Sequence, residues 1–214
     1  GVDGLDGDRY STRLVVADGA TGEVKRIRVL EDDLRPVGFL GADRLVLRRG
    51  TAPGAATWNL TTDEITPWEG AATVTAVSAR EQLAAVVTDE NASGAPCTTV
   101  VDLEGGRDLW RTCEVRIRSF SPDGLRALAV SDDTQGTYAR VVRGRTGEPL
   151  AQVNVGGDAT AAWEDPDHLL MSVWEDGRQA LVRWEVVGDR QYARPPLELA
   201  APPKQDGGYV LPRQ

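Results

Sequence analysis

Three pairs of neighbouring acids recur at equal spacing in this 214-residue chain. Their first members stand 43 residues apart, and the pairs are Asp89-Glu90, Asp132-Asp133 and Glu175-Asp176. Several carboxylates on one surface attract cations and basic side chains, because charges of one sign add. The equal spacing predicts equivalent loops of a repeated unit, and Glu31-Asp32-Asp33, in a connection between units, would lie on the same surface. These residues are our candidate binding site for a basic protein or peptide.

A plainer interpretation of these acids stays open. Acidic residues keep long surface loops solvated without binding anything, and loop sequences vary freely. In one unit of the repeat, Arg48-Arg49 stands where the acids stand in the others, which favours the plainer interpretation.

Trp174 stands beside the third acidic pair and adds a second kind of chemistry. Exposed indoles stack on sugar rings, so the presence of six tryptophans against two phenylalanines raises the hypothesis of a carbohydrate site with Trp174 as its platform. The alternative for an indole is packing between sheets. That role is expected for the tryptophans within β-rich runs, Trp58, Trp163 and Trp184.

Cys97 and Cys113, the two cysteines, lie at equal distances on either side of Gly105, in the middle of a turn. Residues placed symmetrically about an antiparallel hairpin face each other with their Cα atoms about 4.5–5.5 Å apart, which is within disulfide range. We predict a Cys97–Cys113 disulfide and hence an oxidising, extracytoplasmic compartment. Two thiols and the distant His168 do not fill a tetrahedral set of ligands, so we expect no metal.

His168 is the only histidine and limits acid–base chemistry. It stands beside Asp165 and Asp167, which permits a His–Asp dyad. The alternative is a turn histidine that begins a strand, as Arg44 does in a matching segment. The chain contains no G-x-S-x-G elbow, P-loop, dinucleotide-binding glycine motif or EF-hand spacing. We therefore predict no catalytic residue and no cofactor, and favour a non-enzymatic role.

The elements that position these residues repeat with a period of about forty. Turn pairs recur between β-rich runs at steps of 41, 43, 41 and 41, and they are Gly22-Glu23, Asp63-Glu64, Gly106-Arg107, Gly147-Glu148 and Gly188-Asp189. β-branched or aromatic residues stand on both sides of each turn, as expected for a β-hairpin.

A second series interleaves with the first. It steps by 38, 43 and 43, begins a strand–turn–strand segment each time, and consists of Phe39, Val77, Phe120 and Trp163. FLGADRLVL from Phe39 and WEDPDHLLM from Trp163 match position by position. In FSPDGLRALAV, Pro122 and Asp123-Gly124 supply the turn. Each unit is therefore interpreted as four antiparallel strands, A to D, with an A–B and a C–D hairpin.

Self-contained four-stranded units of equal length predict an all-β propeller. A sandwich or a flat row of hairpins is the alternative, but sandwiches cross between sheets with uneven connections. We predict one domain over 1–214. Its units are at about 9–33, 34–71, 72–114, 115–157 and 158–200, with a closing tail at 201–214.

The repeat contains five C–D hairpins but four A–B hairpins, so we expect about five blades with an incomplete first blade. Residues 1–9 are too polar and glycine-rich to supply the missing strands. Tyr209-Val210-Leu211 would close the ring as a returning strand, which removes exposed sheet edges. An open ring, or one cut from a larger propeller, is the alternative.

The segment FSPDGLRALAV, from Phe120 to Val130, resembles the A–B hairpin of TolB-type propeller repeats, which are similar in pattern to WD repeats. The resemblance is recognisable at Phe39 and Trp163 and degenerate at Val77, where SAREQ replaces the turn. The Gly-His and Trp-Asp pairs of WD repeats are absent from the sequence. The resemblance implies a ring fold and a binding or scaffolding role, and it carries over no catalytic residue.

The formal charge of −9 argues against nucleic acid and anionic lipid as partners, because both need a basic face. No stretch of about eighteen apolar residues is present, so nothing in this segment is expected to insert into a bilayer. All bases except Lys25 and Lys204 are arginine, which is typical of a GC-rich bacterial genome such as an actinobacterial one.

Together these features predict a non-enzymatic binding, sensory or scaffolding propeller outside the cytoplasm, secreted or membrane-anchored, with a protein or peptide partner. The alternatives are a carbohydrate-binding or carbohydrate-active propeller, or the propeller part of a larger membrane protein or hydrolase. Glycoside hydrolysis needs two facing carboxylates about 5–10 Å apart. The expected inner positions offer instead Arg35, Thr75, Arg118 and Thr160. The pattern does not indicate an oligomeric state.

Overall fold

The computed structural model describes residues 11–50, 53–68, 73–90, 96–131, 138–155, 160–175, 178–188 and 190–192. These residues form β-strands and turns, with no helix among them. The strands build one two-stranded sheet and four four-stranded antiparallel sheets, which we number as blades 1 to 5 in chain order.

Blade 1 contains β1 (Thr12–Ala17) and β2 (Val24–Leu30). Blade 2 contains β3 (Leu34–Phe39), β4 (Arg44–Arg49), β5 (Ala55–Asn59) and β6 (Ile65–Pro67). Blade 3 contains β7 (Thr73–Ser78), β8 (Leu83–Glu90), β9 (Pro96–Asp102) and β10 (Arg107–Thr112). Blade 4 contains β11 (Arg116–Phe120), β12 (Arg126–Val130), β13 (Tyr138–Arg143) and β14 (Pro149–Asn154). Blade 5 contains β15 (Thr160–Trp163), β16 (His168–Glu175), β17 (Arg178–Glu185) and β18 (Arg190–Tyr192).

Consecutive strands are paired within each complete blade, so the strand order follows the chain from A to D. The first strands of neighbouring blades lie side by side, with β7 in contact with both β3 and β11. The A strands are therefore the inner strands of the ring. This arrangement confirms the predicted β-propeller of four-stranded antiparallel blades, with four complete blades and a two-stranded first sheet among the described residues.

The core lies between blades because the second strands are apolar on both faces. In β4, Leu45 and Leu47 pack towards blade 1, while Val46 packs towards blade 3. Further clusters of the same kind join blades 3 and 4 and blades 4 and 5. A strand that is buried on both faces needs a continuous apolar run rather than alternation, which the segments LVL, LAAVV and ALAV supply.

The C–D turns of blades 1 to 4 share one backbone feature. One residue of the turn has a left-handed φ, and these residues are Gly22 (72°), Asp63 (63°), Gly106 (59°) and Gly147 (72°). Glycine adopts this conformation without strain, and Asp is among the residues that tolerate it. The conserved geometry explains why the first sequence series repeats at 41 to 43 residues.

In three blades, the side chain of the residue that begins the C–D turn has the same role. Asp18, Asn59 and Asp102 each accept two backbone N–H groups of their own turn through Oδ1. Asx turns of this kind satisfy donors that would otherwise lack a partner. Asp18 also pairs with Lys25, 2.6 Å away, which lowers its pKa to about 2 with help from the Thr21 and Ala20 N–H groups.

The acidic pairs are predicted to lie in loops, but Glu175 belongs to β16 and pairs with Arg178 of β17. The tail at 201–214, including Tyr209–Leu211, lies outside the described residues.

Candidate functional site

The propeller has two rims. The turn rim consists of the A–B and C–D turns, and the loop rim consists of the B–C and D–A connections. Within each complete blade, a backbone N–H of the C–D turn donates to a carbonyl of the A–B turn, in the pairs Leu60–Asp43, Leu103–Gln82, Gly144–Leu125 and Val186–Asp167. This recurring bond places both turns on one side and leaves Asp89 and Glu90, at the end of β8, on the other.

Asp89 lies on the loop rim at the end of β8. A β-bulge at Thr88 brings Asp89 opposite Cys97. Arg111 on β10 donates from Nη2 to both carboxylate oxygens of Asp89, at 2.9 and 2.8 Å. This bond, followed by that from the Thr88 hydroxyl, lowers the pKa of Asp89. The acid is therefore ionised at neutral pH, but an arginine of the same blade neutralises its charge.

Glu90 is the other fully described member of the candidate site. It is exposed, and among the residues that the structure describes no basic side chain forms an ion pair with it. Trp174 and Glu175 lie in β16 near its end, where only their backbone is described. Asp132, Asp133 and Asp176 lie outside the described residues. The acidic site therefore stays a prediction, represented here by Asp89 and Glu90.

Other acids of the loop rim also have arginine partners. The pairs are Asp32–Arg49 at 3.7 Å, Asp33–Arg35 at 3.0 Å and Glu114–Arg140 at 3.2 Å. Exposed pairs of this kind contribute little stability each. They change the charge of the surface, because each arginine neutralises an acid. The described part of the loop rim therefore presents alternating charges rather than a uniformly acidic field.

The predicted disulfide is present at this rim. Cys97 and Cys113 are bonded, with their Cα atoms 4.0 Å apart. The bond joins the start of β9 to the residue that follows β10, next to Asp89. It therefore ties a B–C connection and a D–A connection of blade 3 to each other.

The turn rim uses its charged residues differently, and sequence reasoning missed this. Arg145 of blade 4 reaches back to blade 3, where its Nη2 donates to Asp102 at 2.8 Å and its Nη1 to the Glu81 carbonyl at 3.2 Å. The indole of Trp110 in blade 3 donates to the Gly144 carbonyl of blade 4 at 2.9 Å. The Gly105 N–H and Arg145 lower the pKa of Asp102, in that order.

Two more blade boundaries have bonds of this kind. Arg28 of blade 1 contacts Asp63 of blade 2, whose Oδ1 also accepts the Trp58 indole at 2.9 Å. Arg126 of blade 4 lies 2.9 Å from Asp167 of blade 5. The spacing of Asp18, Asn59 and Asp102 marks the turns in the sequence, but it does not show which arginine reaches each turn.

His168 begins β16, directly after the A–B turn of blade 5, as the alternative interpretation expected. Its Nδ1 lies 2.8 Å from Asp165, which also accepts the N–H groups of Asp167 and His168. These bonds, led by that from Asp167, lower the pKa of Asp165. Glu164 completes a group of three potential metal ligands within 4.8 Å of one another, but it is held by Arg183 at 2.5 Å. Asp165 and His168 therefore bond within the turn, whereas Glu164 pairs with β17.

The tryptophans named below are engaged within the fold, by burial or by a hydrogen bond within the blade. Trp58, Trp163 and Trp184 are buried at 0, 2 and 4% exposure. Trp68 donates to the Thr57 hydroxyl at 2.7 Å within its own blade. The carbohydrate hypothesis therefore rests on Trp174, whose side chain is not among those described.

Comparison with known proteins bears on the fold. No protein-family model matches the chain, and no curated protein does. No helix in the described part of the chain is long and apolar enough to cross a membrane.

Solved structures do match. TolB from Acinetobacter baumannii has a TM-score of 0.60 and 15% identity over 86% of this chain and 48% of its own. The β-propeller domain of the Trilobed protease from Pyrococcus furiosus, reported to have an open velcro topology, has a TM-score of 0.56 and 14% identity over 75% of this chain and 56% of its own. Pyrococcus horikoshii acylaminoacyl peptidase has a TM-score of 0.57 and 15% identity over 76% of this chain and 32% of its own.

The chain thus spans about a third to just over half of the length of these proteins. Identities of 14 and 15% show a shared fold and leave function open. The chain has a TolB-like β-propeller fold.

Proposed function

We propose that this chain is a non-enzymatic binding propeller that works outside the cytoplasm and takes a protein or peptide partner on its loop rim. The observation that carries the proposal is the different use of charge on the two rims. On the turn rim, Arg28, Arg126 and Arg145 bond across blade boundaries, so these groups are engaged in assembly. Among the described residues of the loop rim, the acid–arginine pairs lie within a blade or at its connection, and Glu90 is exposed.

The disulfide supports the proposed compartment. Disulfides persist in oxidising environments and are rare where thiols are kept reduced. Cys97 and Cys113 are bonded beside Asp89, so the bond also pre-organises the part of the rim that is proposed to bind. A surface that is already ordered loses less conformational entropy when a partner docks.

The partner proposed is a basic segment. Asp89 is already paired with Arg111, so the charges available to a partner are those of Glu90 and the predicted rim acids Asp132 and Asp176. Complementary charges raise the association rate more than the affinity. Binding should therefore weaken as salt rises, because exposed charges are screened within about 8–10 Å.

The test is a display library of random 15-residue peptides selected against the whole chain. The variant Glu90→Gln/Asp132→Asn/Asp176→Asn neutralises the loop rim and leaves the Asp89–Arg111 pair intact. Its matched control, Glu23→Gln/Glu64→Gln/Glu104→Gln, removes the same charge from the turn rim. We expect enrichment of Lys- and Arg-rich peptides by the chain and the control, and its loss by the rim variant. Equal enrichment by all three proteins would refute the proposal that the loop rim binds basic peptides.

The carbohydrate alternative predicts a different result. A glycan array probed with the whole chain and with Trp174→Ala should then show sugar binding that the substitution abolishes. A chain that enriches basic peptides and binds no glycan supports the protein-binding proposal over this one.

A further inference from the structure

Blade 1 has two faces, and one of them packs on blade 2. Leu14 is 5% exposed and belongs, with Val16 and Leu30, to the cluster that also contains Trp58 of blade 2. Successive side chains of a strand point to opposite faces, so the residues between these point away from blade 2. We call this second surface the outer face of blade 1, and it consists of Arg13, Val15, Ala17, Val24, Ile27 and Val29.

The outer face of blade 1 is apolar and exposed. Val15 and Ile27 lie directly opposite each other across the two strands, and both are 52% exposed. Val24 and Val29 continue the surface along β2 and are 51 and 63% exposed. Single exposed aliphatic residues are normal on a protein surface, but a contiguous group marks a site of interaction.

In the next two blades, the equivalent positions are packed against the blade before. The residue that begins the C–D turn aligns the blades, so the counterparts of Ala17 and Val15 are Trp58 and Ala56 in blade 2, and Val101 and Thr99 in blade 3. Trp58, Ala56 and Thr99 are 0, 5 and 3% exposed. Val101 is partly buried in the cluster that contains Val46 of blade 2. The outer face of blade 1 therefore has the composition of a surface that packs on another sheet.

A second copy of this chain offers a matching sheet at its own blade 1. The alternative within the fold is the face of blade 5 that points away from blade 4, where Leu170, Ser172 and Leu181 lie. Ser172 is 2% exposed and both leucines are partly buried, so this face presents less apolar surface. When two copies associate through the same patch, the assembly closes as a two-fold dimer.

We propose that the outer face of blade 1 is a dimer interface, at which Val15, Ile27 and Val29 pack against the same face of a second copy of this chain. The two sheets lie face to face about 10 Å apart, as in a β-sandwich. With the two hairpins antiparallel, each Arg13 lies near the turn of the other hairpin, so the two like charges are separated.

The proposed interface is small and uses neither rim of the propeller. A face of two short strands is smaller than the about 800 Å² that each partner buries in a standard interface. We therefore expect a reversible dimer that dissociates on dilution. The loop rims of both copies stay accessible, so this proposal does not depend on the function proposed for the loop rim.

Sedimentation velocity of the whole chain at increasing concentration tests the association, and we expect the mass to rise from one chain to two. The variant Val15→Lys/Ile27→Glu replaces the central apolar pair by opposite charges, which are favourable across two strands of one copy. Since the dimer would then bury charges instead of aliphatic groups, we expect its affinity to fall at least about tenfold.

The matched control is Leu125→Lys/Val187→Glu, which makes the same exchanges at two turn-rim side chains that are 56 and 86% exposed. We expect this control to associate as the original chain does. Because the replaced residues are at least half exposed in one copy, each variant should keep the melting temperature of the dilute chain. A chain that stays monomeric at every concentration, or a Val15→Lys/Ile27→Glu variant that still dimerises fully, would overturn the proposal.

Isotope-filtered NMR on mixed labelled and unlabelled chains locates the interface without any substitution. We expect contacts between copies among the methyl groups of Val15, Ile27 and Val29. Contacts between copies only at other residues, or contacts from these methyl groups to another segment of the same copy, would overturn the proposal. Salt should not weaken an apolar dimer, whereas it should weaken peptide binding at the loop rim, so the two proposals can fail separately.

Discussion

Cys113 lies opposite Cys97 because β10 contains one extra residue, Leu109, relative to its partner β9. Near the turn, Arg107 pairs with Asp102, but beyond a β-bulge at Leu109 the register moves by one residue, so that Thr112 pairs with Thr98. Without the bulge, the two cysteines would lie on opposite faces of the sheet. The covalent link at the loop rim therefore depends on a local irregularity of the strand pair.

Removing this link should destabilise the protein. The bond closes a loop between residues 16 apart, for which the chain-entropy model gives about 3 kcal/mol. We expect Cys97→Ala/Cys113→Ala to lower the free energy of unfolding by about that amount, measured in urea. Reduction of the unmodified protein with dithiothreitol should give a similar loss. An unchanged midpoint in both experiments would show that the bond does not stabilise the fold.

The disulfide shows what symmetry in a sequence can predict. Equal distance from Gly105 was sufficient to pair Cys97 with Cys113 correctly. The bulge at Leu109 that makes this register possible has no marker in the sequence, because a half-buried leucine in a strand looks like any other strand residue. Periodicity predicts which residues are equivalent, but it does not predict how each strand pair adjusts locally.

Gly22 and Gly147 offer a matched pair of substitutions. Both have φ of 72°, but a Cβ at Gly22 would meet nothing within 4 Å, whereas at Gly147 it would lie 2.7 Å from the Trp110 ring. We expect Gly22→Ala to cost about 1 kcal/mol from the backbone alone. Gly147→Ala should cost about 1–3 kcal/mol more, because it also separates blades 3 and 4. Equal losses in denaturant unfolding would argue against a tight contact at Trp110.

Gln82 and Asp63 are the two described non-glycine residues with a left-handed φ, at 49° and 63°. We expect Gln82→Gly to stabilise the protein by about 0.5–1 kcal/mol, since glycine relieves the strain. Asp63→Gly relieves the same strain but removes the acceptor of the buried Trp58 indole and of Arg28. It should therefore lower the melting temperature by several degrees.

The control for Asp63 is Asp63→Asn, which keeps an oxygen for Trp58 and loses the charge that attracts Arg28. We expect an intermediate melting temperature in a calorimetric scan. If both glycine variants shifted the melting temperature in the same direction, the bonds of Asp63 would not outweigh its backbone strain.

The pH dependence of stability should include a contribution from Asp18. Its pKa is about 2 in the folded chain against an ordinary 3.8, so the unfolded chain binds the proton more tightly. The stabilisation is complete above about pH 4 and is lost as the pH falls towards 2. A carboxyl NMR titration should give a pKa near 2 for Asp18, rising towards 3.8 in Lys25→Met. A titration that Lys25→Met leaves unchanged would show that the lysine does not lower this pKa.

The candidate site was less predictable than the fold. The strands and turns follow from local residue types, so the two interleaved series were sufficient to derive the blades. The partners of Arg28, Arg126 and Arg145 belong to neighbouring blades, and an arginine side chain can reach several acids. The pairing of Asp89 with Arg111, within blade 3, could not be predicted for a different reason, because it depends on the bulge at Thr88.

The cross-blade bonds of the turn rim make tilting of the blades directional. A tilt that separates two neighbouring blades at the turn rim must break Arg145–Asp102 or Arg28–Asp63, whereas a tilt that opens the loop rim breaks neither. These bonds hold neighbouring blades together at the turn rim. Tilting of the blades should therefore separate them more readily at the loop rim than at the turn rim.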